Sequence, residues 1–269
     1  MDSQFVRFAS KSRPGLFLHA LTWGDPEAPP LVLLHGGGAN AHWWDHLAEP
    51  LARRRRVVAL DFRGHGDSDY PDVLEVGAFN FDLEALCEFL GTSRFDLVGH
   101  SMGAQVALDH ASRHAETGRL ILLDLARGAS PRSRRVARLA LALRRTYENR
   151  GEAVDRYRVI PPSERIEPAL LRAIANHSVR EDDDGRWGFK FDPRWFTIAS
   201  RPAPDLSQVR SRVLLMRGGE SNLLSPEGAE EFIDQISHGQ VLTLPGAGHH
   251  VHLDQPERVL TGLIEFLEP

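Results

Sequence analysis

Cysteine is nearly absent. Of 269 residues only Cys87 carries a thiol, so no internal disulfide framework can exist. Leu83, Leu86, Phe89 and Leu90 surround it in sequence, a setting in which a small buried thiol packs, and the structural reading outweighs a reactive one. Long hydrophobic runs are missing too: no stretch approaches the roughly 20 apolar residues of a membrane span, and no membrane partner is expected. Met1 leads into Asp2-Ser3-Gln4-Phe5 without the basic and apolar regions of a secretory signal or a lipidation motif, so the expected location is cytoplasmic. Positive charge is not in excess, with 32 Lys and Arg against 37 Asp and Glu and a net charge of -5. That balance gives no global attraction to nucleic acid, and no nucleic-acid-binding signature is present. Repeats and low-complexity tracts are absent as well.

What remains is an ordinary globular composition, 42% hydrophobic and 26% charged, in a chain long enough for one α/β domain with an insertion. Residues 5–10 and 16–23 alternate in polarity around Arg13-Pro14-Gly15 and predict a hairpin. Four short, almost continuously apolar runs follow at 31–34, 57–60, 95–98 and 120–123, with two more at 213–216 and 241–244. Such runs fit strands buried on both faces of a parallel sheet. Helical patterns lie between or after them at 82–90, 102–114, 226–236 and 256–267; in the last, Val259, Leu260, Leu263, Ile264 and Leu267 make one apolar stripe. The alternation predicts an α/β fold with a mostly parallel central sheet flanked by helices.

Residues 126–200 break the alternation. No comparable strand is evident there, and Val136, Leu139, Ala140, Leu143 and Tyr147 form one helical stripe. The reading is a helical cap, 126–200, inserted after strand six into a core of 1–125 and 201–269, over the sheet edge where open α/β sheets bind ligands.

Phe95-Asp96-Leu97-Val98 runs into Gly99-His100-Ser101-Met102-Gly103, and a helical pattern begins at once. A G-x-S-x-G motif between a buried strand and a helix is the setting of a nucleophile elbow: the serine sits on a strained turn, and the glycines remove Cβ atoms that would collide with neighbouring backbone. Ser101 is therefore the candidate nucleophile, and the following helix aims its first amides where negative charge would develop. Earlier, the 31–34 run ends in His35-Gly36-Gly37-Gly38. The elbow arrangement pairs the amide after the serine with one from such a loop, nominating the N–H groups of Met102 and Gly37 as the oxyanion hole, with Gly38 a near-equal candidate.

These residues resemble the α/β-hydrolase family. The resemblance extends over nearly the whole chain, through His35 to Gly38, the stretch Asp61-Phe62-Arg63-Gly64-His65-Gly66-Asp67-Ser68, the elbow and Gly248-His249, and is weakest in the insertion. It implies the α/β-hydrolase fold and serine hydrolase activity. The Asp61 to Ser68 stretch matches a turn whose role in the family is mainly structural, so His65 is given no chemistry.

After the last apolar run come three histidines, His249, His250 and His252. No cysteine pair or H-E-x-x-H spacing completes a metal site, and neither metal nor cofactor is called for. An imidazole near its natural pKa can take the serine proton and return it to the leaving group. His249, preceded by Gly248, matches the family's Gly-His position and is preferred to His250; His252 reads as a packing or hydrogen-bonding residue, and Asp254, Pro256 and Glu257 read as a helix N-cap, first-turn proline and capping acid.

The acid is where this chain departs from the resemblance. Many members carry it after the seventh strand, but here the loop reads Arg217-Gly218-Gly219-Glu220-Ser221-Asn222, with no aspartate. Asp124, ending the run Leu120-Ile121-Leu122-Leu123, is the choice, with Glu220 the alternative. The many arginines of the insertion mostly read as a solvated face, Arg134, Arg138 and Arg145 falling opposite the apolar stripe; Arg127, Arg156 and Arg158 are kept as candidates for carboxylate recognition. Trp43 and Trp44 either wall the acyl pocket or belong to the core. The leading expectation is hydrolysis of a small carboxylic ester through an acyl-enzyme. Amide or carbon–carbon bond hydrolysis, haloperoxidase-like perhydrolysis and a non-catalytic small-ligand receptor are the alternatives, and the sequence leaves room for a homodimer.

Overall fold

The computed structural model describes residues 3–10, 13–125, 145–197 and 202–268. Its centre is an eight-stranded sheet of β1 (Gln4–Ala9), β2 (Phe17–Trp23), β3 (Pro30–Leu34), β4 (Arg56–Asp61), β5 (Asp96–His100), β6 (Leu120–Leu123), β9 (Val213–Gly218) and β10 (Gly239–Leu244). Strand order is β1-β2-β4-β3-β5-β6-β9-β10; β2 is antiparallel to both neighbours, and from β4 to β10 every pairing is parallel. The hairpin and all six apolar runs are thus strands of one sheet.

The sheet is covered on both faces, which is why its central strands carry no polar alternation. Val32 and Leu34 point into one core cluster with Leu83 and Leu86 of α2 (Ala78–Leu90) and Ala104 and Ala107 of α3 (Met102–Arg113). Leu31 and Leu33 point into the other, with Leu47 and Leu51 of α1 (Asp45–Leu51) and the Val259 and Leu263 stripe of the C-terminal helix Pro256–Leu267. Cys87 is partly buried against the first cluster, and desolvation pushes its thiol up to about 12, which matches the structural reading.

Chain order reverses around β3, since the chain moves outward to β4 and then crosses back to β5 on the other side. Loops leaving β3 and β5 therefore diverge and leave a crevice at the carboxyl ends of these strands, where open α/β sheets bind ligands. The glycine-rich loop and the Ser101 turn both open onto it.

The connection between β6 and β9 contains, among the described residues, α4 (Arg150–Arg156), α5 (Pro168–His177) and a hairpin of β7 (Val179–Glu181) with β8 (Trp187–Phe189). Two strands thus occur where none was evident, too short to show a periodicity. Val154, Tyr157, Ile174 and Val179 pack with Ala39, Trp43 and Leu253 in a third cluster, so this connection rests on the loop after β3. Val136, Leu139, Ala140 and Leu143 lie outside the described residues. Tyr147 pairs with Trp187 in a β-bridge rather than extending a helix.

Candidate active site

Ser101 follows β5 directly and is the N-cap of α3, with φ 52° and ψ -109°. With Asp124 (φ 44°) it is one of two non-glycine residues at positive φ among the described residues, a backbone state that costs about 1–3 kcal/mol and concentrates at functional sites. The flanking glycines are needed for contact. A Cβ on Gly99 would lie 2.4 Å from the Gly103 carbonyl oxygen, and one on Gly103 would lie 2.3 Å from that of Leu34. Without them β5, α3 and the end of β3 could not approach closely enough to make the bend.

The β3 loop lies against this turn, a Cβ on Gly36 falling 3.4 Å from that of Ser101. The N–H groups of Gly37, Gly38 and Met102 donate to no protein acceptor among the described residues. Met102 is the first residue of α3, where helix amides lack an intrahelical partner and the dipole favours negative charge. Trp195 covers Gly37 so closely that a Cβ there would fall 2.1 Å from the indole, a neighbour invisible in the local sequence.

His249 sits in the loop between β10 and the short helix Val251–Asp254. Its Nδ1 donates to Asp124 Oδ2 at 2.7 Å, with both side chains buried. That bond leaves Nε2 as the nitrogen available to accept a proton. The two loops are tied together: His100, immediately before Ser101, donates from Nε2 to the His249 carbonyl at 3.0 Å, and the two rings lie 4.7 Å apart.

Asp124 is fully buried and accepts two further hydrogen bonds, from the Gly218 amide at 3.0 Å and the Ser221 hydroxyl at 2.6 Å. Ser221 occupies the loop where an aspartate was sought and serves the acid of the neighbouring strand instead; a hydroxyl beside a missing carboxylate was the available clue. Glu220, the alternative acid, is exposed and pairs with Arg165, whereas His249 bonds Asp124. A Cβ on Gly218 would meet the Gly248 carbonyl oxygen at 2.1 Å, so glycine there admits the histidine loop.

The other expected residues divide. Trp43 donates to the Tyr157 hydroxyl at 3.1 Å and lines a cavity of about 140 Å3 together with Gly37, Gly38, Arg156 and Arg158. Trp44 does not: it is fully buried in the core, its ring 4.8 Å from that of His252, and the pocket-wall reading is corrected to the core reading. Both belong to a 3-10 turn, Ala41–Trp44, in which successive side chains diverge by about a third of a turn, so adjacent tryptophans face different surroundings. Arg127 lies outside the described residues. Asp254 is no N-cap; it ends the helix Val251–Asp254, accepts from the Gly248 amide at 2.7 Å and from the Ser163 hydroxyl at 2.6 Å, and so braces the histidine loop against the β6–β9 connection.

Burial keeps the remaining imidazoles of this region uncharged. Desolvation lowers His250 to about 3 and holds His100 and His252 well below the usual histidine range. His65, similarly desolvated to about 3, bonds the Arg63 carbonyl in the turn after β4. One ring nitrogen each of His100, His249 and His250 lies within 4.8 Å of the others, the composition of a cation site. Each ring bonds protein oxygen through one nitrogen, the His249 carbonyl, Asp124 and the Pro161 carbonyl respectively, and keeps the other. Larger open grooves, about 590 Å3 beside the β9 loop and about 690 Å3 at the opposite end of the sheet, touch neither Ser101 nor the glycine loop.

Comparison with known proteins bears on the fold and the family. Residues 31–261 match a family model described as the alpha/beta hydrolase family. A mouse protein named sn-1-specific diacylglycerol lipase ABHD11 is 27% identical over 275 residues, 95% of this chain and 86% of the relative. A Mycobacterium tuberculosis protein named esterase Rv0045c is 28% identical over 258 residues, 90% of this chain and 84% of the relative. Among solved structures, an E-2-(acetamidomethylene)succinate hydrolase superposes with a TM-score of 0.85 at 22% identity, covering both chains fully, a likeness of fold.

Proposed function

Because the chain belongs to the alpha/beta hydrolase family, whose matched relatives are named as hydrolytic enzymes, we propose that it cleaves a small carboxylic ester through an acyl-enzyme on Ser101. The observation that carries this reading is the buried 2.7 Å hydrogen bond from His249 Nδ1 to Asp124, joined through His100 to the strained Ser101 turn. Ser101 Oγ attacks the carbonyl carbon while His249 Nε2 takes its proton. Asp124 holds the imidazole in the tautomer that leaves Nε2 free and stabilises the imidazolium that results. Negative charge on the carbonyl oxygen is met by the Met102 N–H and that of Gly37 or Gly38. His249 returns the proton to the leaving alcohol, and water then releases the acid by the same steps in reverse order. The 126–200 insertion is read as the cap over this crevice, with Trp43 and Tyr157 walling the acyl side.

Ester rather than amide chemistry is favoured by the relatives named lipase and esterase. The test is rapid mixing with an activated aryl ester. A stoichiometric burst of phenol followed by slower turnover is expected, absent in Ser101→Ala; unchanged turnover in that variant would remove the proposal.

A further inference from the structure

The cavity of about 140 Å3 is lined in part by Gly37 and Gly38 of the candidate oxyanion loop, which places it beside the carbonyl that Ser101 would attack. Its wall is mostly apolar, with Trp43, Tyr157, Val159 and Phe189, yet Arg145, Arg156 and Arg158 also line it and no Asp or Glu does. Arg145 is exposed, as expected of a solvated side chain, but it lies outside any helix and also lines this cavity.

Several other cations of the same connection have acidic partners, while Arg150 and Arg186 bond only the neutral oxygens of Asn176 and Thr146. Arg165 pairs with Glu220, Arg172 with Asp155, Lys190 with Asp67 and Arg194 with Asp192. Arg145 and Arg156 have no ion pair or side-chain hydrogen bond among the described residues, and Arg158 Nη1 donates to the main-chain oxygens of Asp155 and Tyr157. A main-chain oxygen orients a guanidinium without neutralising it. Three exposed arginines without an acidic partner thus line one small cavity in a protein whose net charge is -5, and an incoming anion would supply the missing partner.

Resting on the hydrolase reading above, we infer that the cavity binds an acyl group ending in a carboxylate, so that the substrates are monoesters of short dicarboxylic acids. The apolar wall takes the methylenes and the arginine fork takes the carboxylate in bidentate fashion. Length is limited by volume: about 140 Å3 is room for roughly five water-sized groups, an acyl chain of four or five carbons with its carboxylate.

The experiment compares monoethyl succinate and monoethyl glutarate with ethyl butanoate and ethyl pentanoate, by acid release from the full-length protein. We expect kcat/KM for the anionic esters to exceed that for the neutral ones at least tenfold. The ratio should shrink as salt rises from about 50 mM to about 500 mM, and fall toward one in the R156Q/R158Q double variant. A ratio of one or less in the native protein, or a ratio unaffected by the double substitution in a variant with native circular dichroism, would overturn the inference while leaving the hydrolase reading intact. Turnover of none of the four esters, nor of an activated aryl ester, would remove both. A monoester whose far end is a phosphonate separates the two anions: preference for it over the carboxylate at equal length would replace the assigned ligand.

Discussion

At the scale of single residues, Asp124 shows how a buried carboxylate is satisfied. It is fully buried, so its charge is tolerated only because three donors meet it: the His249 imidazole, the Ser221 hydroxyl and the Gly218 amide. Asp124→Asn should preserve the fold but lower kcat by about 10⁴-fold, because an amide can present N–H to Nδ1 and fix the wrong tautomer. Glu220→Gln removes an exposed pair with Arg165, worth at most about 1 kcal/mol, and should change kcat less than about twofold. Ser221→Ala removes a hydrogen bond to a charged group, worth about 1.5–3 kcal/mol. Its kcat/KM should fall about ten- to hundredfold if that full energy serves the imidazole's alignment. Steady-state kinetics on the three variants, each checked by circular dichroism, decides the ranking. Asp124 was legible because an acid follows a buried strand in the chain order Ser, Asp, His. Ser221 was not, because a serine's role depends on which side chain of a neighbouring strand its hydroxyl meets.

At the scale of elements, sequence legibility tracked burial. Strands covered on both faces by helices must be apolar throughout, so β3, β5, β6 and β9 stood out as short runs. The C-terminal helix is amphipathic with one face buried, and its bounds, Pro256–Leu267, match the expected range, although Ile264 of the expected stripe is exposed. The three-residue strands β7 and β8 and the short α1 have too few turns or alternations to register a period. Close approach of loops is equally hidden, since a glycine's reason lies in a partner distant in sequence. Gly218 is such a case: a Cβ there meets main-chain oxygen at 2.1 Å, and backbone cannot step aside as a side-chain end can. Gly218→Ala should therefore cost at least about 1–3 kcal/mol in urea unfolding, and activity should fall further than stability because the displaced loop carries His249.

At the scale of the whole molecule, buried neutral histidines set the response to acid. Desolvation lowers His65 and His250 to about 3 and His110 to about 4, and lowers His35, His100 and His252 as well. In the unfolded chain each titrates near 6.5, so below that pH the unfolded state binds more protons and is favoured. The stability associated with these neutral rings is complete above about pH 6.5 and is lost as pH falls toward the folded-state values, at up to about 1.4 kcal/mol per pH unit for each ring. The urea midpoint should be flat from pH 8 to 7 and drop steeply between about pH 6 and 4; a midpoint constant to pH 4 would contradict the assignment of these rings as buried and neutral.

The central claim, covalent catalysis at one hydroxyl, is tested most directly by the mass of the whole chain. Acid quench of a reaction with an activated aryl ester within the burst phase, followed by intact-mass measurement and peptide mapping, should show one added acyl group on the peptide carrying Gly99 to Gly103, located on Ser101. In Asp124→Asn the same adduct should form far more slowly, and in Ser101→Ala not at all. An unmodified chain during native turnover, or an acyl group mapped to any other residue and persisting in Ser101→Ala, would contradict the account.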